Sequence, residues 1–81
     1  MIIKKHDRDS YYLRQALAHG ETDDGDEFTV AINIDGGCLV FTFPEAAYTI
    51  ELNTLVYAAG LNTLVEEVLE FRKTNTEEEP F

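Results

Sequence analysis

Phe28-Thr29-Val30-Ala31-Ile32-Asn33-Ile34, Asp35-Gly36-Gly37 and Cys38-Leu39-Val40-Phe41-Thr42-Phe43 together form the stretch whose pattern decides the architecture. The first arm alternates, with Phe28, Val30, Ile32 and Ile34 on one face and Thr29, Ala31 and Asn33 on the other. The last arm alternates too: Leu39, Phe41 and Phe43 share a face opposite Val40 and Thr42. Between them, glycines supply the positive φ that tight hairpin turns require. Residues 28–43 therefore predict an antiparallel hairpin.

Downstream the reading forks at Pro44. Ala46, Tyr48, Ile50 and Leu52 alternate as a third strand over 46–52 after a turn at Pro44-Glu45. Alternatively Thr42-Phe43-Pro44-Glu45 resembles a capping box that opens a helix running to Ala59. The run Tyr48-Thr49-Ile50 favours the strand. Beyond it, Tyr57, Leu61, Leu64, Val68 and Phe71 recur at helical spacing, widened by Val65 and Leu69, while Glu66, Glu67, Glu70 and Lys73 point elsewhere. A helix over 54–73 follows, with Asn62 as an internal cap should Gly60 break it. Leu52-Asn53-Thr54-Leu55-Val56 returns as Leu61-Asn62-Thr63-Leu64-Val65, a coincidence of helical periodicity rather than a repeat architecture.

Upstream, Ile2 and Ile3 can begin a strand. Residues 10–19 read as a short helix capped by Asp9 or Ser10 and stopped by Gly20, although Leu13, Gln15 and Leu17 also fit an alternating strand. The fold class expected is α+β: an antiparallel sheet built on 28–43 and packed by the C-terminal helix. Val30, Ile32, Leu39, Phe41, Leu61, Leu64, Val65 and Val68 are the expected core. At 81 residues there is room for one domain, placed at 1–73, with 74–81 as an acidic disordered tail. A core this small gains from a second copy, so a homodimer is compatible.

Charge carries the functional information. Sixteen acidic residues against six basic ones give a net charge of −10. The excess is bunched, since residues 1–20 sum to +2, 21–35 to −6, 36–53 to −2 and 54–81 to −4. Free nucleic acid and acidic membranes are repelled by such a chain. Direct nucleic-acid binding is therefore not expected, even though Tyr11, Tyr12, Tyr48 and Tyr57 offer stacking surfaces. No window is apolar enough to span a bilayer, and the first residues lack the apolar stretch of a signal peptide. The single thiol, Cys38, cannot staple a secreted domain and has no cationic neighbour in sequence to activate it. It reads as a small buried strand residue in a cytoplasmic protein.

Motifs of chemistry are missing. Asp23, Asp24 and Asp26 around Gly25 suggest calcium, but the EF-hand register places Gly20 first and Ala31 at the bidentate position. His6 and His19 lack metal-ligand spacing, no lysine follows Gly36-Gly37 to make a phosphate loop, and Ser10 has no histidine in a nucleophile motif. No catalytic residue, metal or cofactor is expected, and the chain is not read as an enzyme.

Carboxylates in rows can instead occupy a cationic groove built for nucleic acid. Glu66 and Glu70 stand one turn apart, about 6 Å along a helix, near the phosphate spacing of one strand. With Glu67, Asp23, Asp24, Asp26 and Glu27 they form the expected partner-binding set. The partner expected is a basic protein that handles nucleic acid, and the chain would inhibit it as a nucleic-acid mimic. In size and charge the chain resembles small phage-encoded inhibitors of restriction or CRISPR machinery, without sharing a motif with them. The alternative is an adaptor, antitoxin-like or accessory-subunit module whose acidity serves solubility only.

Overall fold

The computed structural model describes residues 2–8, 17–33 and 37–78. Strands β1 (Ile3–His6), β2 (Ala18–Glu21), β3 (Glu27–Asn33), β4 (Cys38–Thr42) and β5 (Ala47–Glu51) precede helices α1 (Thr54–Ala59) and α2 (Leu61–Glu78). The strands form one antiparallel sheet in the order β1-β5-β4-β3-β2, a small α+β arrangement. The expected hairpin is its centre, with Thr29 opposite Thr42 and Asn33 opposite Cys38; residues 34–36 of its turn lie outside the described residues.

The fork at Pro44 resolves as a strand. Phe43 N–H donates to Ala46 C=O at 2.9 Å across Pro44-Glu45, and the chain returns as β5 beside β4. Tyr48 and Ile50 join the face that carries Val30, Leu39 and Phe41, where Val56, Leu64 and Val68 of the helices cover them. Ala47 and Thr49 occupy the other face with Cys38, Val40 and Ala31, and they too are buried. Burial on both faces is why β5 has so few polar positions.

Three expectations are corrected. The helix over 10–19 is overtaken at its end: Ala18 and His19 pair with Val30 and Thr29 as strand β2, and 10–16 lie outside the described residues. Pairing with β3 satisfies the backbone that a local helix would have satisfied, and tertiary pairing overrides propensity. Gly20 is therefore no helix stop. Its missing Cβ makes room for the Phe28 ring, whose Cζ lies 2.4 Å from where that Cβ would be.

Second, the helix over 54–73 is two helices. Asn53 caps α1, its Oδ1 accepting from Val56 N–H at 3.0 Å, and Gly60 ends it at φ 84°. Asn62 sits inside α2 rather than capping it. Helix α2 then runs to Glu78, into the stretch expected as a disordered tail; 79–81 lie outside the described residues. Thr74 Oγ1 donating to Glu70 C=O at 3.1 Å illustrates the continuation past residue 73.

Third, Ile32 and Leu61 leave the expected core. Both lie on the correct faces, yet they are 42% and 43% exposed. Strand β2 begins opposite Val30, so among the described residues β3 has no strand on that side beside Ile32, which pairs only with Leu39 of β4. Val65 packs at the margin of the core and is only partly buried.

Candidate acidic interaction surface

Strands β2 and β3 are joined by Thr22-Asp23-Asp24-Gly25-Asp26, and this turn is well tied. Thr22 N–H donates to Asp26 C=O at 2.8 Å, Gly25 N–H to Thr22 C=O at 3.0 Å, and Asp26 N–H to Thr22 Oγ1 at 3.0 Å. Gly25 supplies φ 91°, a conformation strained for any L side chain. Glu21 and Glu27 lie directly opposite each other just below the turn, an arrangement in which like charges destabilise a sheet. Five carboxylates thus share one short hairpin against their own repulsion.

Arg72 of α2 offsets part of that repulsion. It stands four residues after Val68 and eight after Leu64, on the stripe that faces the sheet. Its Nε donates to Glu45 Oε2 at 2.6 Å, and its Nη2 donates to Glu45 Oε1 at 2.9 Å and to Asp26 Oδ2 at 2.7 Å. The guanidinium lies over the Phe43 ring at 4.6 Å from its centroid. Phe43 in turn stacks on Phe28 at 4.8 Å and meets the edge of Tyr48, which meets Phe71. One planar cation therefore joins the β2–β3 turn, the β4–β5 turn and the aromatic end of the core.

Glu45 receives a third donor, the Tyr48 hydroxyl at 2.9 Å. Burial pushes its carboxyl pKa up, but the Arg72 hydrogen bond, its own backbone, Tyr48 and the Arg72 charge together outweigh this. The net position is below the usual glutamate value. Arg72 is raised, chiefly by its hydrogen bond to Glu45.

The seven expected partner-binding residues divide accordingly. Asp23, Asp24 and Glu27 are exposed on the hairpin, whereas Asp26 is half-buried and engaged by Arg72. Glu66, Glu67 and Glu70 are exposed on α2. Glu66 and Glu70 stand about 40° apart on the side of α2 away from the sheet. The hairpin lies along a different flank, where Thr22, Asp23 and Asp24 line a crevice of about 450 Å³ with Leu69, Arg72 and Lys73. Glu67 turns toward the flank opposite the hairpin.

So the fold brings Asp23 and Asp24 beside the helix that carries Glu66 and Glu70, with Lys73 between the two groups. Glu27, next to the core-facing Phe28, falls instead on the other face of the sheet and lines a cleft with Thr29 and Thr42. Lys4 and Lys5 belong to β1 at the far edge of the sheet, about 19 Å away at the usual strand spacing. The lysines of β1 and the hairpin carboxylates thus lie at opposite edges of the sheet, although Arg8 lines a cleft with Glu21 and Glu27.

Sequence reading missed Glu21, Glu45 and Arg72. Arg72 had left a signal: no lysine or arginine occurs between Gln15 and Phe71, and it falls at a buried-stripe position. Glu45 had none, because a turn glutamate after proline is ordinary.

Other chemistry is sparse. A cleft of about 800 Å³ beside the hairpin is lined by Arg8, His19, Glu21, Glu27, Thr29 and Thr42, among others. His6 and His19 lie in one row of the sheet but at opposite edges, and His6 Nε2 sits 3.0 Å from Thr49 Oγ1. No group of three or more His, Cys, Asp or Glu side chains able to hold a metal ion occurs among the described residues. Cys38 is buried, which raises its thiol pKa. Among the described residues no helix is long and apolar enough to cross a membrane. Comparison with family models, curated proteins and solved structures finds no match to this chain.

Proposed function

We propose that this protein is a non-enzymatic inhibitor whose carboxylates occupy the basic nucleic-acid-binding surface of a partner protein. The observation that carries the reading is the tied hairpin at Glu21–Glu27. A flexible acidic loop would keep its charges apart, whereas this one holds Glu21 opposite Glu27 and is clamped to α2 through Arg72. Holding like charges together opposes folding, and a surface that needed acidity only for solubility would gain by spreading them.

The mechanism is competition. The hairpin carboxylates and the Glu66–Glu70 row present anionic oxygens to a lysine and arginine groove, and nucleic acid is excluded while they sit there. Preorganisation lowers the ordering cost of binding, and the acidic field speeds encounter with a cationic partner.

The experiment is retention from a host lysate on the immobilised chain, at about 50 mM and about 500 mM salt. The expected result is a basic protein that duplex nucleic acid or high salt displaces. Asp23→Asn, Asp24→Asn and Glu27→Gln combined with Glu66→Gln and Glu70→Gln should abolish its retention. A retained protein indifferent to salt, to nucleic acid and to those five changes would refute the reading.

A further inference from the structure

The two edge strands of the sheet differ in charge. Strand β1 has a strand neighbour only on its β5 side, and β2 only on its β3 side. Exposed Lys4 and Lys5 guard β1, a common device against stray pairing. Strand β2, Ala18–Glu21, has no lysine, arginine or proline. No hydrogen bond leaves its outer side among the described residues, so alternate N–H and C=O groups there are unpaired.

The two ends of that edge are chemically distinct. At one end stands exposed Glu21, with exposed Asp23 and Asp24 just beyond. Glu21 faces Glu27 across the ladder, and neither has an ion pair among the described residues, although Arg8 lines the same cleft. That cleft, of about 800 Å³, also touches His19 and Gly20, so side chains lying beside β2 have room on the Glu21 face. At the other end Leu17 is 60% exposed, while its backbone is fixed by N–H donating to Val30 C=O at 2.7 Å.

We infer that the β2 edge takes up an extended basic segment of the partner protein, which joins the five-stranded sheet as an added strand. Three separate features select this occupant. Unpaired backbone calls for another strand rather than for a helix or a sugar–phosphate chain. The carboxylates call for lysine or arginine at alternate positions, because residues two apart on an added strand share the face of Glu21. Leu17 calls for an apolar contact away from the turn. A second copy of this chain, at net charge −10, is repelled from the acidic end. The proposal deepens the inhibitor reading and rests on it for the partner being a basic protein; the pairing itself is tested without that partner. Because β2 has only four residues, a short peptide should bind with a dissociation constant of about 0.1–1 mM.

The probe is an acetylated and amidated heptapeptide, Lys-Val-Lys-Val-Lys-Val-Lys, titrated into the isotope-labelled full chain at about 50 mM salt and followed by backbone amide resonances. The resonances of residues 18–21 should shift and their hydrogen exchange should slow, with β1 unaffected. Methylating every backbone nitrogen of the peptide keeps its charge but removes its donors, and should weaken binding about tenfold or more. Glu21→Gln and Leu17→Ser change exposed side chains and should each weaken it about threefold or more. Unchanged thermal unfolding shows that both variants are folded. Equal binding of the methylated peptide, shifts centred on β1 or α2, or no binding at about 5 mM peptide would overturn strand addition. The two readings fail separately. A lysate protein displaced by duplex nucleic acid, with a peptide indifferent to methylation, keeps inhibition and removes strand pairing. Methylation-sensitive binding at β2 with no such protein retained does the reverse.

Discussion

Replacing Arg72 with alanine removes the cation that ties both turns to α2. The Arg72 side chain is 18% exposed, and its partners Asp26 and Glu45 are 41% and 39% exposed. Hydrogen bonds between charged groups contribute about 1.5–3 kcal/mol each when buried, but carboxylates this exposed are screened, and about 0.5–1 kcal/mol per partner is the fitting scale. The contact over Phe43 adds about 0.5–1 kcal/mol. Loss of the aliphatic stem from the edge of the core removes about 1 kcal/mol more.

Arg72→Ala should therefore lower stability by about 2.5–4 kcal/mol, a large part of what a domain of this size possesses. At about 4–8 °C per kcal/mol, the melting temperature should fall by about 10–30 °C. Urea unfolding followed by circular dichroism measures this. Arg72→Met keeps the stem and should recover about 1 kcal/mol, while Arg72→Lys also keeps a charge but loses the planar fork and should fall between Arg72→Met and the wild type. A double-mutant cycle with Glu45→Gln should give a coupling of at least about 0.5 kcal/mol that shrinks in high salt. A loss below about 0.5 kcal/mol for Arg72→Ala, or zero coupling to Glu45, would refute the clamp.

Two further outcomes follow from the same geometry. Gly20→Ala drives a methyl group into the Phe28 ring, which is itself stacked on Phe43, so a loss of about 1–3 kcal/mol is expected in urea unfolding; a neutral result would mean that the ring has room. Glu45 has a folded-state pKa below its unfolded value, so its contribution is complete above the ordinary glutamate value and disappears as pH falls through the lowered one. Unfolding free energies of the wild type and Glu45→Gln should converge across that acidic window, and a constant difference between them would contradict the assignment.

How much of the fold was legible depended on whether local and long-range forces agreed. Alternation in Phe28–Phe43 and the stripe Leu64-Val68 announce a strand pair and a helix because each element's period matches the face it buries. Residues 18–20 did not announce a strand. Ala-His-Gly is locally a helix end, and only the open edge of β3 turns it into β2. The two copies of Leu-Asn-Thr-Leu-Val make the same point, for Leu55 is exposed on α1 while its counterpart Leu64 is buried on α2.

The acidic site divides in the same way. That the carboxylates are bunched, and that no motif of catalysis or metal binding accompanies them, are properties of residue order and were readable at once. Which of them face outward was not. Asp26 appeared equivalent to Asp23 and Asp24, and only the approach of α2 makes it the partner of Arg72. Glu45 and Arg72, 27 residues apart, meet only because the β4–β5 turn reaches the far end of that helix. Order along the chain determined how much charge the molecule carries and roughly where. The tertiary structure decided which charges cancel one another, because screening, burial and pairing depend on distances that local sequence does not encode.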